Sequence, residues 1–255
     1  MKPAYSLFPA LLLILAGCHS RPEPESLLAG FVSIADVDPT IQLDIRYYSD
    51  NNFMGRPVKG YLAPACLLSE PAAQALITAQ QQALGLGYSL KVYDCYRPQQ
   101  AVNDFLNWAA DPDDTFQQQR FYPQVPKAEL FARGYIAERS GHSRGSTLDM
   151  TLVPVGSRQP SARPDPDRFD CRLDRSRRFP DNSVEMGTGY DCFDELSHTD
   201  NPDISGAARS NRDLLRELMK AAGFSNYAQE WWHFTLDGEP YPDSYFNFPV
   251  DFPAR

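Results

Sequence analysis

Two short segments limit this chain more than any other part of it: "RSGHSRGSTLDMTL", Arg139 to Leu152, and "EWWHFTL", Glu230 to Leu236. Each sets a histidine and a carboxylate at or beside an apolar, β-forming run. Of the four histidines, His19 lies in a polar leader region and His198 in a polar "LSHTD" loop. His142 and His233 remain, each in a strand-associated context beside acidic residues. A fold that joined the two segments would bring His142, Asp149, His233 and Glu230 to one point. "SRGST" can curl His142 and Asp149 together, but Glu230 and His233 are three apart, so a regular strand would put them on opposite faces. One of them must therefore sit at a strand end or a bulge.

Singly, each residue has an ordinary reading. A histidine next to Trp231 and Trp232 is commonly a packed core residue, and the aspartate of "TLDMTL" can be a buried hydrogen-bond acceptor. Together they fit a catalytic zinc site, in which three protein ligands leave a fourth position open. In such a site the ion activates a water, and a neighbouring carboxylate moves the proton.

The rest of the chain reads as α+β, a single domain built on a central, mostly antiparallel sheet with flanking helices. "SEPAAQALITAQQQALGLG" has the marks of a helix, with Ser69 as N-cap, Pro71 in the first turn and Gly85 and Gly87 as the stop. "YSLKVYDCYRP" alternates as a half-buried strand, and a helix follows Pro98 with Ala101, Val102, Phe105, Leu106 and Ala109 as its stripe. "STLDMTLVPV" reads as a second core strand. In "SNRDLLRELMKAAGF", Ser210 and Asp213 look like a capping pair, with Gly223 as terminator. "AQEWWHFTL" reads as the last strand. Residues 154–182 lack periodicity and are dense in Arg, Asp and Pro, the pattern of a solvated, charged insertion loop.

The amino terminus carries an apolar run, Leu7 to Ala16, behind Lys2 and ahead of "LAGC". That run is shorter than the ~20 residues of a membrane span and reads as a signal peptide of residues 1–17. "LAGC" resembles a bacterial lipobox, which would make Cys18 a lipidated first residue on a polar tether, 18–30, ahead of a domain at 31–255. Removing 17 of 255 residues leaves 238, one full-sized domain. The expected place is the cell envelope, lipid-anchored and facing the periplasm or exterior; Cys18 could also be incidental to an ordinary signal. A net charge of −9 argues against nucleic acid as a partner. Cys66, Cys95, Cys171 and Cys192 are an even set and allow three pairings, Cys66–Cys95 with Cys171–Cys192 being favoured. Without C-x-x-C spacing they make poor zinc ligands.

"SGHSRGSTLDMTL" followed by "EWWHF" resembles the D-alanyl-D-alanine dipeptidases, the VanX-type zinc D,D-dipeptidases. "DIRYYSDNNFMGRPVKGY", "VYDCYRP" and "MGTGYDCFDELSHT" resemble further blocks of that family in the same order, so the likeness runs from about Ile34 to Asn247. The resemblance implies the zinc D,D-peptidase (hedgehog-like) fold and one Zn2+ held by His142, Asp149 and His233. It implies Glu230 as general acid/base and Arg97 of "YRP" as stabiliser of the oxyanion. It also implies Ser140 and Asp191 as substrate contacts, Asp191 receiving the free ammonium. A fixed guanidinium beside developing negative charge suits the Arg97 role, although a salt bridge at a strand end would explain it too. The expected reaction is hydrolysis of D-Ala-D-Ala to D-alanine by metal-activated water. The alternatives are a D,D-carboxypeptidase or endopeptidase on peptidoglycan stem peptides and, in a different class, a lipid-anchored wall-binding module. Two features depart from the family pattern: the long insertion, and an export signal where resistance-type dipeptidases act in the cytoplasm. The second suggests salvage of dipeptide released in the envelope.

Overall fold

A computed structural model describes residues 30–160 and 169–251. The signal segment, Cys18 and nearly all of the tether lie outside the described residues, as does the middle of the insertion. Among the described residues no helix is long and apolar enough to cross a membrane.

The strands are β1 (Phe31–Ser33), β2 (Gln42–Leu43), β3 (Leu67–Ser69), β4 (Tyr88–Asp94), β5 (Thr147–Pro154), β6 (Phe224–Asn226) and β7 (His233–Leu236). The long helices are α1 (Glu70–Gly85), α2 (Gln99–Ala110) and α3 (Gly206–Ala221). A five-stranded sheet runs in the order β2-β4-β5-β7-β6, and β1 pairs with β3 as a separate ribbon. Only β2–β4 is parallel; the other pairs of the sheet are antiparallel. The expectation of a single domain mixing helices with a mostly antiparallel sheet, the α+β class, therefore holds.

Register sorts the side chains onto two faces. Leu90 opposes Leu152, Val92 opposes Met150 and Leu148 opposes Phe234, giving one apolar face. Helices α1 and α3 pack against the strands and each other. α1 approaches through Ala72, Ala73, Leu76, Ala79 and Ala83, a stripe of mostly small side chains that lets helix and sheet lie close. The opposite face carries Lys91 across from Thr151 and Asp149 across from His233. The alternation of "YSLKVYD" is thus between apolar and polar faces. The strand is not half-exposed, however: every residue from Ser89 to Asp94 is buried.

A register shift between Val92 and Asp94 sets Asp94 opposite Asp149. Strict alternation would have turned Asp94 to the apolar side with Leu90 and Val92. The extra residue re-aims it onto the polar face, a common use of a bulge next to a functional site.

Several local expectations need correction. Ser69 stands at the N-cap position of α1 but makes no capping bond; its hydroxyl pairs with that of Ser146 at 2.7 Å. Helix α3 begins at Gly206, a full turn before Ser210. Ser210 therefore lies inside the helix, where its hydroxyl donates to the Gly206 carbonyl, and Asp213 pairs with Arg216 instead of closing a capping box. The final strand is only β7; Glu230 to Trp232 form the turn leading into it.

The 154–182 segment is not uniformly solvated, and the part of it outside the family's pattern is short. Lys91, 1 % exposed, donates to Asp181, Gln159 and Asn182 at 2.6–2.8 Å. Asp181 also pairs with Arg46 at 2.6 Å and accepts from the Tyr93 hydroxyl at 2.9 Å. An isolated lysine could not stay charged at this depth, so the returning limb of that segment is pinned to the sheet by its own aspartate. Of the three cysteine pairings the structure has Cys66–Cys95 and Cys171–Cys192, with Cα separations of 5.2 and 5.6 Å. The second ties the insertion to the segment that carries Asp191.

Candidate metal centre and cleft

His142 sits in a short 3-10 turn, Gly141–Arg144, that ends at Gly145 with φ of 81°. A Cβ at Gly145 would fall 2.2 Å from the Phe31 ring, so both the left-handed backbone and the close packing call for glycine. The turn delivers His142 to the head of β5, while Asp149 projects from that strand beside His233, the first residue of β7. Nδ1 of His142 lies 2.7 Å from the Cys95 carbonyl. A carbonyl only accepts, so Nδ1 carries the proton and Nε2 presents a lone pair.

That lone pair faces two other electron-rich atoms. His142 Nε2 is 3.2 Å from Asp149 Oδ1, His233 Nδ1 is 3.2 Å from the same oxygen, and the two nitrogens are 3.3 Å apart. Asp149 Oδ1 is buried with no hydrogen-bond donor. Tetrahedral zinc with ligand distances near 2.0–2.1 Å would have ligand–ligand edges of ~3.3 Å. The triangle matches one face of such a tetrahedron, and the three residues fit a divalent cation.

Electrostatics say the same. Burial opposes ionisation of Asp149, but the two imidazoles outweigh it and hold the carboxyl far below the usual range. Burial also disfavours a charged His233, yet Asp149 and Glu230 push its pKa up to about 9. The pocket is thus built for positive charge at the point where the three atoms meet.

Around this centre the remaining expected residues take their places. Glu230 Oε2 lies 3.3 Å from His233 Nδ1. Its position in the turn before β7 resolves the three-residue spacing: Glu230 is off the strand and His233 is on its first residue. Arg97 pairs with Asp94 at 2.8 Å and reaches Asp149 Oδ2 at 3.5 Å, its guanidinium lying over Tyr47 and Phe105. The salt-bridge reading of Arg97 is therefore realised, and the same side chain also lines the cleft. Ser140 accepts from the His142 N–H at 3.3 Å, which orders the turn. Asp191, buried and left-handed at φ 56°, accepts from the Tyr47 hydroxyl at 2.9 Å. Burial, reinforced by Asp149, holds its carboxyl well above the usual range. A bound cation would reverse that. Arg97, Ser140, Asp149, Asp191, Glu230 and His233 all line one cleft of about 270 Å³, walled by Phe53, Phe105, Tyr135 and Phe193.

Sequence reasoning missed the supports. Tyr190 donates to Asp149 Oδ2 at 2.9 Å, leaving Oδ1 for the metal. Asp94 accepts from both Arg97 and the Tyr61 hydroxyl. Both lie inside quoted blocks, "GTGYD" and "VYDCYRP", but nothing in the letters separates a support from its neighbour. The third support, the Cys95 carbonyl, has no side-chain signature at all.

A family model described as D-Ala-D-Ala dipeptidase matches residues 28–162 and 167–251. The chain is 40% identical over 220 residues to a D-alanyl-D-alanine dipeptidase of Streptomyces coelicolor, covering 86% of this chain and 98% of that protein. It is 38% identical over 221 residues to the protein of that name from Enterococcus faecalis, covering 87% and 98%. With that from Escherichia coli it shares 31% identity over 208 residues, covering 80% and 83%. With a metal-ligand triangle in the cleft and likeness along nearly the whole folded chain, this protein belongs to the D-Ala-D-Ala dipeptidase family of metallopeptidases.

Proposed function

We propose that the protein hydrolyses D-alanyl-D-alanine to D-alanine, with one zinc ion held by His142, Asp149 and His233. The observation that carries this is the 3.2–3.3 Å triangle with Glu230 against its edge. The relatives' names supply the substrate. When bound, the ion would supply Lewis acidity, acidifying a water and polarising the scissile carbonyl.

The chain's own residues do the rest. Glu230 takes the proton of the attacking water and passes it to the departing amine. Arg97, fixed by Asp94, offers N–H donors to the oxygen that gains charge at the carbonyl, an interaction that strengthens as the charge forms. Asp191 receives the substrate ammonium, and Ser140 holds the peptide near the turn. A cleft of about 270 Å³ is near the small end of ligand pockets, ~300 Å³ and above, and suits a dipeptide better than a stem peptide. Among the described residues no fourth protein ligand joins the three, which favours an enzyme over a binding module with a structural metal. The hedgehog-like fold name belongs to this same reading.

We place the enzyme in the cell envelope on the strength of the "LAGC" signal and two disulfides, which suit an oxidising compartment. Fractionation that found unlipidated protein in the cytosol would remove this placement. The activity is tested by metal analysis and by assaying free D-Ala-D-Ala against a stem pentapeptide. Turnover of the dipeptide, abolished by chelation and restored by zinc, is expected; preference for the pentapeptide would overturn the substrate.

A further inference from the structure

A second cavity opens beside the Lys91–Asp181 cluster, separate from the catalytic cleft. Arg46, Arg120, Arg175 and Arg178 line it, with aromatic walls from Phe179 and Tyr93. This is an unusual gathering of cations in a chain whose net charge is −9. Their local partners do not balance them. Arg46 is engaged by Asp44 and Asp181, and Arg178 by Glu185. Among the described residues, neither Arg120 nor Arg175 pairs with a carboxylate.

Two of these guanidiniums are buried, and one of them has a donor to spare. Arg120, 4 % exposed, donates to Asn51 and otherwise stacks over Phe121 and Phe179. Arg178 is 7 % exposed, and its Nη1 is buried with no hydrogen-bond partner. An unpaired donor on a buried charge is costly to leave unmade. Burial, reinforced by repulsion from Arg46, pulls the Arg120 pKa down to about 9. Every one of these features is relieved by the same thing, an anion between the arginines.

We infer that this cavity, of about 40 Å³, is a binding site for a small inorganic oxyanion of the phosphate or sulfate class. Forked guanidiniums match the geometry of such groups. The site does not depend on the catalytic reading, because none of the four arginines lines the cleft.

The experiment is a thermal-shift and calorimetric titration of the zinc-loaded full chain with inorganic phosphate in one arm and sulfate in the other. Ionic strength is held constant with chloride. A saturable rise in midpoint, roughly 5–10 °C at a hundredfold excess over Kd, is expected from whichever anion fits. Arg120→Gln and Arg178→Gln should each weaken that binding by about tenfold or more, with dipeptide hydrolysis unchanged. Should either variant fail to fold, wild-type protein is treated with phenylglyoxal and its modified arginines mapped by mass spectrometry. Protection of Arg120 and Arg178 by the bound anion is expected. No saturable binding of either anion overturns the inference. So does binding that both variants keep, which would place the anion at the zinc instead, or a footprint that the anion leaves unchanged.

Discussion

The polar face of the sheet gathers buried charge in two places, and they are solved differently. Around Lys91, every donor of the ammonium has an oxygen, and Asp181 is shared among Lys91, Arg46 and Tyr93. Around Asp149, three potential ligand atoms converge within 3.2–3.3 Å and Oδ1 has no hydrogen-bond partner. The first cluster closes on itself and fastens the insertion; the second is complete only with a cation. The comparison shows that burial and charge alone do not mark a site. What marks it is a set of buried atoms whose electrons all point to one shared place.

The largest effects should come from breaking the second cluster. His142→Ala should abolish zinc binding and turnover together, read by metal analysis of the purified variant. Glu230→Ala should retain stoichiometric zinc and lose ~10²–10⁴ in kcat. A Glu230→Ala enzyme with near-normal turnover would remove the mechanism.

Asp181→Asn tests the first cluster. Leaving Lys91 and Arg46 without their shared carboxylate should cost about 3 kcal/mol of stability, measured by denaturant unfolding, with zinc content unchanged. Acid behaviour should separate the two as well. Burial raises the Asp181 pKa, but Lys91 and Arg46 override it and hold the carboxyl well below the usual range. Near pH 4 the folded protein therefore binds fewer protons than the unfolded chain. The stability Asp181 contributes is whole above about pH 4 and drains away as pH falls below it. The Asn variant should show a flatter acid limb than the wild type; identical limbs would remove Asp181 from that role.

Smaller effects should come from the supports. Tyr190→Phe deletes the hydrogen bond on Asp149 Oδ2 and should weaken zinc affinity by about 10–100-fold, measured by competition with a chelator. Ser140→Ala removes the acceptor for the His142 N–H and should cost about 0.5–1 kcal/mol. A rise in KM on top of that would add the proposed substrate contact.

Much was legible beforehand. The α1 helix was readable from its proline, its apolar spacing and its glycines, because those signals act within a few residues. The start of α3 was not, because Ser210 and Asp213 look like a cap wherever they occur, and only the preceding turn shows that the helix is already under way. Family blocks pointed to the seven expected site residues. They did not point to Tyr190, Asp94 or the Cys95 carbonyl, whose roles depend on which atom each one meets.

By itself, then, the order of residues determined the segment types, the apolar stripes and the chemical inventory: two imidazoles, an aspartate and a glutamate at β-rich segments. Those are properties of composition and short-range spacing. Tertiary structure decided which oxygen of Asp149 stays free, which tautomer His142 adopts and which face Asp94 occupies after the bulge. It also decided that Lys91 is satisfied while Arg178 is not. Each of these depends on contacts between residues tens of positions apart, where a shift of one residue or of about 1 Å changes the partner.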